Sequence, residues 1–156
     1  MSANSAIAYH ALTLLDETFR NGYQGYLERN GSIFETLASI SAEEASRPVG
    51  GKCATLAAQV KHVAFYIDDR RHELIGDPLL DVDWNEIWET TRAVEADEWA
   101  QIIAALGTAY EAFITEMKAV EDWSAGDALP LAHALAVAAH SAYHLGEIRQ
   151  ALCTLR

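Results

Sequence analysis

Between Asp97 and Val120 the apolar residues Trp99, Ile103, Leu106, Tyr110, Phe113, Met117 and Val120 follow one another in alternating steps of four and three. At 3.6 residues per turn this rhythm draws a single stripe along a helix and makes no face on a strand, so the segment predicts a helix that buries one side. Other stretches read the same way. From Ala3 to about Arg20, Ile7, Ala11, Leu14, Leu15 and Thr18 recur at helical spacing until Asn21-Gly22 and Gly25 interrupt them. Residues 53 to 75 run through Leu56, Val60, Val63 and Ile67 and stop at Gly76-Asp77-Pro78. A last helix, capped by Asp127 with Pro130 in its first turn, reaches the C-terminus with Leu131, Leu135, Leu145, Ile148, Leu152 and Leu155 as its core. About half the residues are apolar and only three are proline, which suits helices. The chain of 156 residues predicts one all-α domain, residues 1–156, with no internal repeat.

The connections are less regular. Ser32 with Glu35 and Ser41 with Glu44 are two consecutive capping boxes, the first opening a short helix with Ile33, Phe34, Leu37 and Ile40. Arg47-Pro48-Val49-Gly50-Gly51 then breaks the chain. Asp77 to Asp97 is an acidic crossover with one expected helical turn, carrying Trp84 and Trp88. Its length frees the flanking helices from being antiparallel neighbours.

A net charge of −12 leaves no basic face for a nucleic acid or an anionic membrane, so neither is an expected partner. No apolar run approaches a membrane span, and MSANSAIAYH lacks the basic and apolar regions of a signal peptide, which makes a cytoplasmic location the expectation. Cys53 and Cys153 are too few and too far apart for a disulfide framework or a CxxC site, and read as reduced, buried thiols. A domain of this size needs no metal staple, so any metal it holds is expected to be functional.

One stretch of the last helix, AAHSAYHLGEIRQAL (138–152), departs from ordinary core composition. Beside the leucine edge runs a second series in steps of four and three: His133, Val137, His140, His144, Glu147 and Ala151. Polar groups turned into a bundle must be paired or bound to something. Imidazoles at i and i+4 lie about 6 Å apart in rise on one face, so His140 and His144 can reach a single cation. His133, about 10.5 Å of rise from His140, cannot share it and at most lines the cavity. His62, also mid-helix, is the natural third ligand. Three imidazoles leave a coordination position open, as catalytic sites do. Glu147 has three roles open to it: a further ligand, a group orienting bound water, or an acceptor for a ligand imidazole. Ala138, Ala139, Ala142 and Gly146 leave room around the rings, and the glycine, costly in a helix, implies close approach by something.

HSAYHLGEIRQAL resembles the signature of the DinB/YfiT-like metalloenzymes, in which a helical HxxxH followed by Gly-Gln/Glu-Ile joins a histidine of the second main helix. The likeness extends through SIFETLASISAEEASRPVGGKCATLAAQVKHVAFYID, DVDWNEIWETT and ADEWAQIIAAL, from about Thr18 to Leu155. It implies a four-helix bundle of up-down-down-up connectivity, with a divalent metal held by His62, His140 and His144. Many members have Gln where this chain has Glu147, and the added carboxylate alters either the hold on the metal or its Lewis acidity. The same connectivity would bring Cys53 and Cys153 to one end of the bundle, where a disulfide is conceivable.

Two functions follow. In the first, a metal-activated water or thiolate attacks a small-molecule substrate, as in the family's thiol-dependent transferases and isomerases. Arg149, with Arg70, Arg71 and Lys61 as further cations, would hold the carboxylates of a low-molecular-weight thiol, and in a hydrolytic variant Glu147 or Asp69 is the base. In the second, the chain is a non-catalytic, metal-binding stress-response bundle acting as a homodimer, as members of this family commonly pair. The four tryptophans are read as core or crossover packing rather than as a dimer contact. Imidazole donors suit zinc, nickel, copper and iron. Zinc or nickel is the expected ion, ahead of iron or manganese.

Overall fold

The computed structural model describes residues 2–48, 54–124 and 129–156. Among them are seven helices and no strand: α1 (Ala3–Phe19), α2 (Ile33–Leu37), α3 (Ala42–Ala45), α4 (Leu56–Ile75), α5 (Trp84–Thr90), α6 (Ala96–Ala119) and α7 (Leu129–Leu155). The protein is all-α, and no described helix is long and apolar enough to cross a membrane.

Local chemistry sets these boundaries. At Ser32 and at Ser41 the hydroxyl accepts the backbone N–H three residues on, and Glu35 and Glu44 reach back to the cap N–H, so both boxes close. Thr55 caps α4 by accepting the Ala58 N–H, and Gly76 ends it at φ 76°, a left-handed conformation that costs glycine little. The helix therefore starts three residues later than expected, while Cys53 and the expected cap Asp127 lie outside the described residues. The crossover forms two turns rather than one, because the Asp83 carboxylate accepts the N–H groups of both Asn85 and Glu86 and Ile87 is buried beneath them.

The four long helices share one core. The stripe on α6 buries Trp99, Leu106, Tyr110, Phe113 and Met117, with Ile103 and Val120 half-buried at its edge. On α7 the inward residues are Ala134, Val137, Ala138, Leu145, Ile148, Ala151 and Leu152. Leu135 is not among them. It is 49% exposed, one residue round the helix from Ala134, and the small residues that replace it let α7 pack close.

Contacts at the helix ends give the helix directions. The Thr55 hydroxyl donates to the Thr91 carbonyl at 2.7 Å, and the Val94 N–H donates to the Ser46 hydroxyl at 2.9 Å, so α4 and α6 begin at one end of the bundle. Arg156 donates to the Ser39 carbonyl at 2.6 Å, which brings the finish of α7 to that same end. At the opposite end the Trp123 N–H donates to Asn4 at 2.6 Å, tying the start of α1 to the chain beyond α6. α4 and α6 thus run together, against α1 and α7, and the crossover spans the molecule.

One buried carboxylate organises the chain after α1. Glu17, 2% exposed, accepts on Oε1 the backbone N–H groups of Gln24, Gly25, Tyr26 and Leu27 at 2.7–2.9 Å. Burial alone would raise its pKa, yet the four donors together hold it down at about 2. The loop folds tightly enough that a Cβ at Gly22 or Gly31 would lie 2.7 or 2.6 Å from the Glu28 carbonyl oxygen. Cys153 is exposed on the last turn of α7, against the expectation of a buried thiol, and its pairing with Cys53 lies outside the described residues.

Candidate metal centre

α4 and α7 cross where His62 faces His140 and His144. The ring centroids stand 5.0, 5.0 and 4.7 Å apart, His62 Nε2 lies 3.0 Å from His140 Nε2, and no two candidate donor nitrogens are further apart than 4.8 Å. Both helices are needed: the four-residue step on α7 supplies two rings on one face, and the seventh residue of α4 supplies the third.

Burial makes these rings poor bases. It lowers the pKa of His62 to about 4, with the neighbouring imidazoles adding to the effect, and that of His144 to about 4 in the same way; His140 is lowered by burial against an opposing pull from Glu147. All three are neutral at pH 7, the state in which imidazole binds a metal. They are also under-satisfied. Buried Nδ1 atoms of His62 and of His144 have no hydrogen-bond partner, and Glu147 Oε2, 3.1 Å from His144 Nδ1, is out of line for one. Three crowded lone-pair donors with so few protons to share fit a cation. Donors each ~2.0–2.1 Å from one ion can be at most roughly 4.2 Å apart, so the widest pair needs about 0.6 Å of side-chain rotation to close.

Aromatic side chains wall the cluster. Trp84 meets the His62 ring edge-on at 5.1 Å and Trp88 lies tilted against it at 4.6 Å, both delivered by the crossover helix. Tyr66 stacks on His140 at 3.8 Å and 17°, with the Arg70 guanidinium 5.6 Å from the phenol ring. Tyr66 lies four residues after His62, the same-face spacing that links the α7 pair, so its presence was readable in the sequence; the landing site of the tryptophans depended on the path of the crossover.

A cleft of about 790 Å³ opens beside His144, lined by Gln59, Trp88, Glu89, Arg92, Tyr143 and Glu147 among others. The Glu147 carboxylate raises the pKa of the Tyr143 phenol beside it. Arg149 is elsewhere. Its Nη2 donates to Glu28 at 3.1 Å in a separate groove with Tyr26 and Cys153, and the arginine lining the cleft is Arg92. Asp69, 6% exposed, binds Arg70 at 2.5 Å and accepts the Leu80 N–H at 3.2 Å, so it braces the crossover two turns from His62. Arg70 and Arg71 are likewise paired, with Asp69 and Asp68, and Lys61 faces the outer side of α4 and α6. His133 is buried at 4% exposure and is not in the cluster. Gly146 is exposed, and a Cβ added there would meet nothing within 4 Å, so no close approach explains it.

Fold and cluster define a helical bundle with a candidate three-histidine centre between its helices. Residues 26–148 match the family model of the DinB superfamily, most of the chain and all three histidines, and the chain belongs to that superfamily. No curated protein and no solved structure matches it.

Proposed function

We propose that the chain binds one divalent ion through His62, His140 and His144 and is a metal-dependent enzyme of transferase or hydrolase type. The observation that carries this reading is three neutral ring nitrogens from two helices, none more than 4.8 Å from another, beside a cleft. An ion held by three imidazoles keeps a position for a water or thiol and lowers its pKa. The chain's own residues do the rest. Burial keeps the rings unprotonated, Trp84 and Trp88 shield the His62 side from water, and Glu147 takes up a proton released in the cleft. Zinc or nickel suits the donor set best, and a low-molecular-weight thiol is the co-substrate the family resemblance brings.

Elemental analysis tests the reading. The purified protein should carry about one equivalent of a divalent ion per chain, and His140→Ala should carry almost none; a wild-type protein that takes up no ion sinks it. The second reading, a non-catalytic bundle acting as a homodimer, draws support from a groove on the outer side of α4 and α6. There Phe65, 37% exposed, lies with Lys61 and Glu98, charges of opposite sign that two copies could satisfy mutually. Thermal unfolding separates the two. An enzyme of this type should gain stability from added thiol on top of metal, increasing with concentration, and a passive bundle from metal alone.

A further inference from the structure

We propose that the cleft beside His144 takes a small organic monoanion, with its carboxylate on Arg92, a planar group against Trp88 and an N–H or O–H donor received by Gln59. As the substrate site of a metal centre this rests on the reading above; as an anion site it stands on Arg92, Gln59 and Trp88 alone.

Arg92 is the first support. Six of the other seven arginines, at 20, 47, 70, 71, 149 and 156, each pair with a carboxylate, and Arg29 lies over the Tyr23 ring. Arg92 does not, although the chain carries a net charge of −12 and Glu89 and Glu147 line the same cleft. Its Nε–H donates to the Glu89 carbonyl at 2.7 Å, which fixes the plane of the guanidinium, and among the described residues neither terminal nitrogen has a partner. A planar fork held in this way is the group that receives a carboxylate bidentately.

Gln59 is the second. It is 7% exposed on the first turns of α4, lines the cleft, and its buried side-chain oxygen has no hydrogen-bond partner. An unpaired buried acceptor is costly, and because this oxygen is itself closed off from the cleft, the Gln59 amide must turn about its last torsion to receive a ligand donor, which would relieve that cost. Trp88 gives the cleft an apolar wall that also touches His62, so a group packed on it lies next to the cluster. A volume of about 790 Å³ accommodates a molecule with all three features. The two carboxylates in the wall repel a second negative group, which favours a monoanion over a phosphate or a dicarboxylate.

N-benzoylglycine has one carboxylate, one amide N–H and one ring, and N-benzoylglycinamide is the same molecule without the charge. Titrated into the protein, metal-free and zinc-loaded, with calorimetry as the readout, the acid should bind at least tenfold more tightly than the amide. Arg92→Gln, a change at an exposed position, should bring that ratio close to one, and Gln59→Leu should weaken both ligands several-fold while leaving the ratio high. Equal binding of acid and amide, an unchanged ratio in R92Q, or no binding of either ligand overturns the proposal. His140→Ala separates it from the metal reading. If that variant loses the ion and keeps the preference for the acid, both stand; a wild-type protein that loads zinc and shows no preference sinks the anion site alone; one that takes no zinc but prefers the acid sinks the metal centre alone.

Discussion

Two clusters of polar groups are buried in this bundle, and they are built on opposite principles. Around Glu17 every demand is met: four backbone N–H groups converge on one carboxylate oxygen and hold the chain after α1 in place. Around His62, His140 and His144 the demands are unmet, with two ring nitrogens lacking partners and three imidazoles crowded face to edge. A satisfied buried polar group explains itself as structure. An unsatisfied one costs free energy that packing elsewhere must offset, and it points to a ligand.

Substitution should separate the two clusters cleanly. The largest effect is expected at the histidines: His140→Ala or His62→Ala should lower affinity for zinc at least a hundredfold by calorimetry, with little change in the stability of the metal-free protein. Glu17→Ala should do the reverse. It strands four donors and should cost about 3 kcal/mol or more in urea unfolding, with zinc affinity within a few-fold of wild type. If removing Glu17 abolished metal binding while the fold persisted, the division between the clusters would fail.

Acid should also reach them at different points. His62 and His144 have pKa values lowered to about 4 and His140 is lowered as well, so the folded state takes up fewer protons than the unfolded state below about 6.5, for the first two down to about 4. Whatever the neutral rings contribute to the metal-free protein is fully present above that window and is lost as pH falls through it. Metal binding should persist below pH 6.5, since protons compete only near the folded-state values, and fail toward pH 4. The contribution of Glu17, roughly 3 kcal/mol from a pKa lowered from 4.5 to about 2, is complete above pH 4.5 and declines only below it. Zinc affinity and urea stability, each followed from pH 7 to pH 3, should therefore break at different places. The smallest effect concerns Gly146. With open space around it, Gly146→Ala should raise stability by up to about 1 kcal/mol and leave metal affinity unchanged.

The contrast also marks how far the sequence could be read. His140 and His144 announced themselves because the i,i+4 spacing acts within one helix, and His62 because its height along α4 matched. Helix existence followed from apolar rhythm in the same local way. Glu17 gave no such signal: on a chain with 23 acidic residues, one more glutamate on a helix reads as solvated surface, and only the return of the loop over it makes it buried. Arg92 stayed hidden for a related reason, since which arginine meets the cleft depends on where the crossover lands, and Arg149, adjacent in sequence to the motif, points to Glu28 instead. Leu135 and Gly146 misled because residue type was read as burial. Early on α7 the small residues Ala134 and Ala138 pack inward beside Val137, and Leu135 faces out.

The crossover that joins two like-directed helices also sets two indoles against the ring of His62, one at 5.1 Å and one at 4.6 Å. Their ultraviolet emission thus becomes a gauge attached to the centre itself. An open-shell ion such as copper or cobalt arriving there should dim it, whereas closed-shell zinc should leave it bright, so the protein can report on its own occupant without a label.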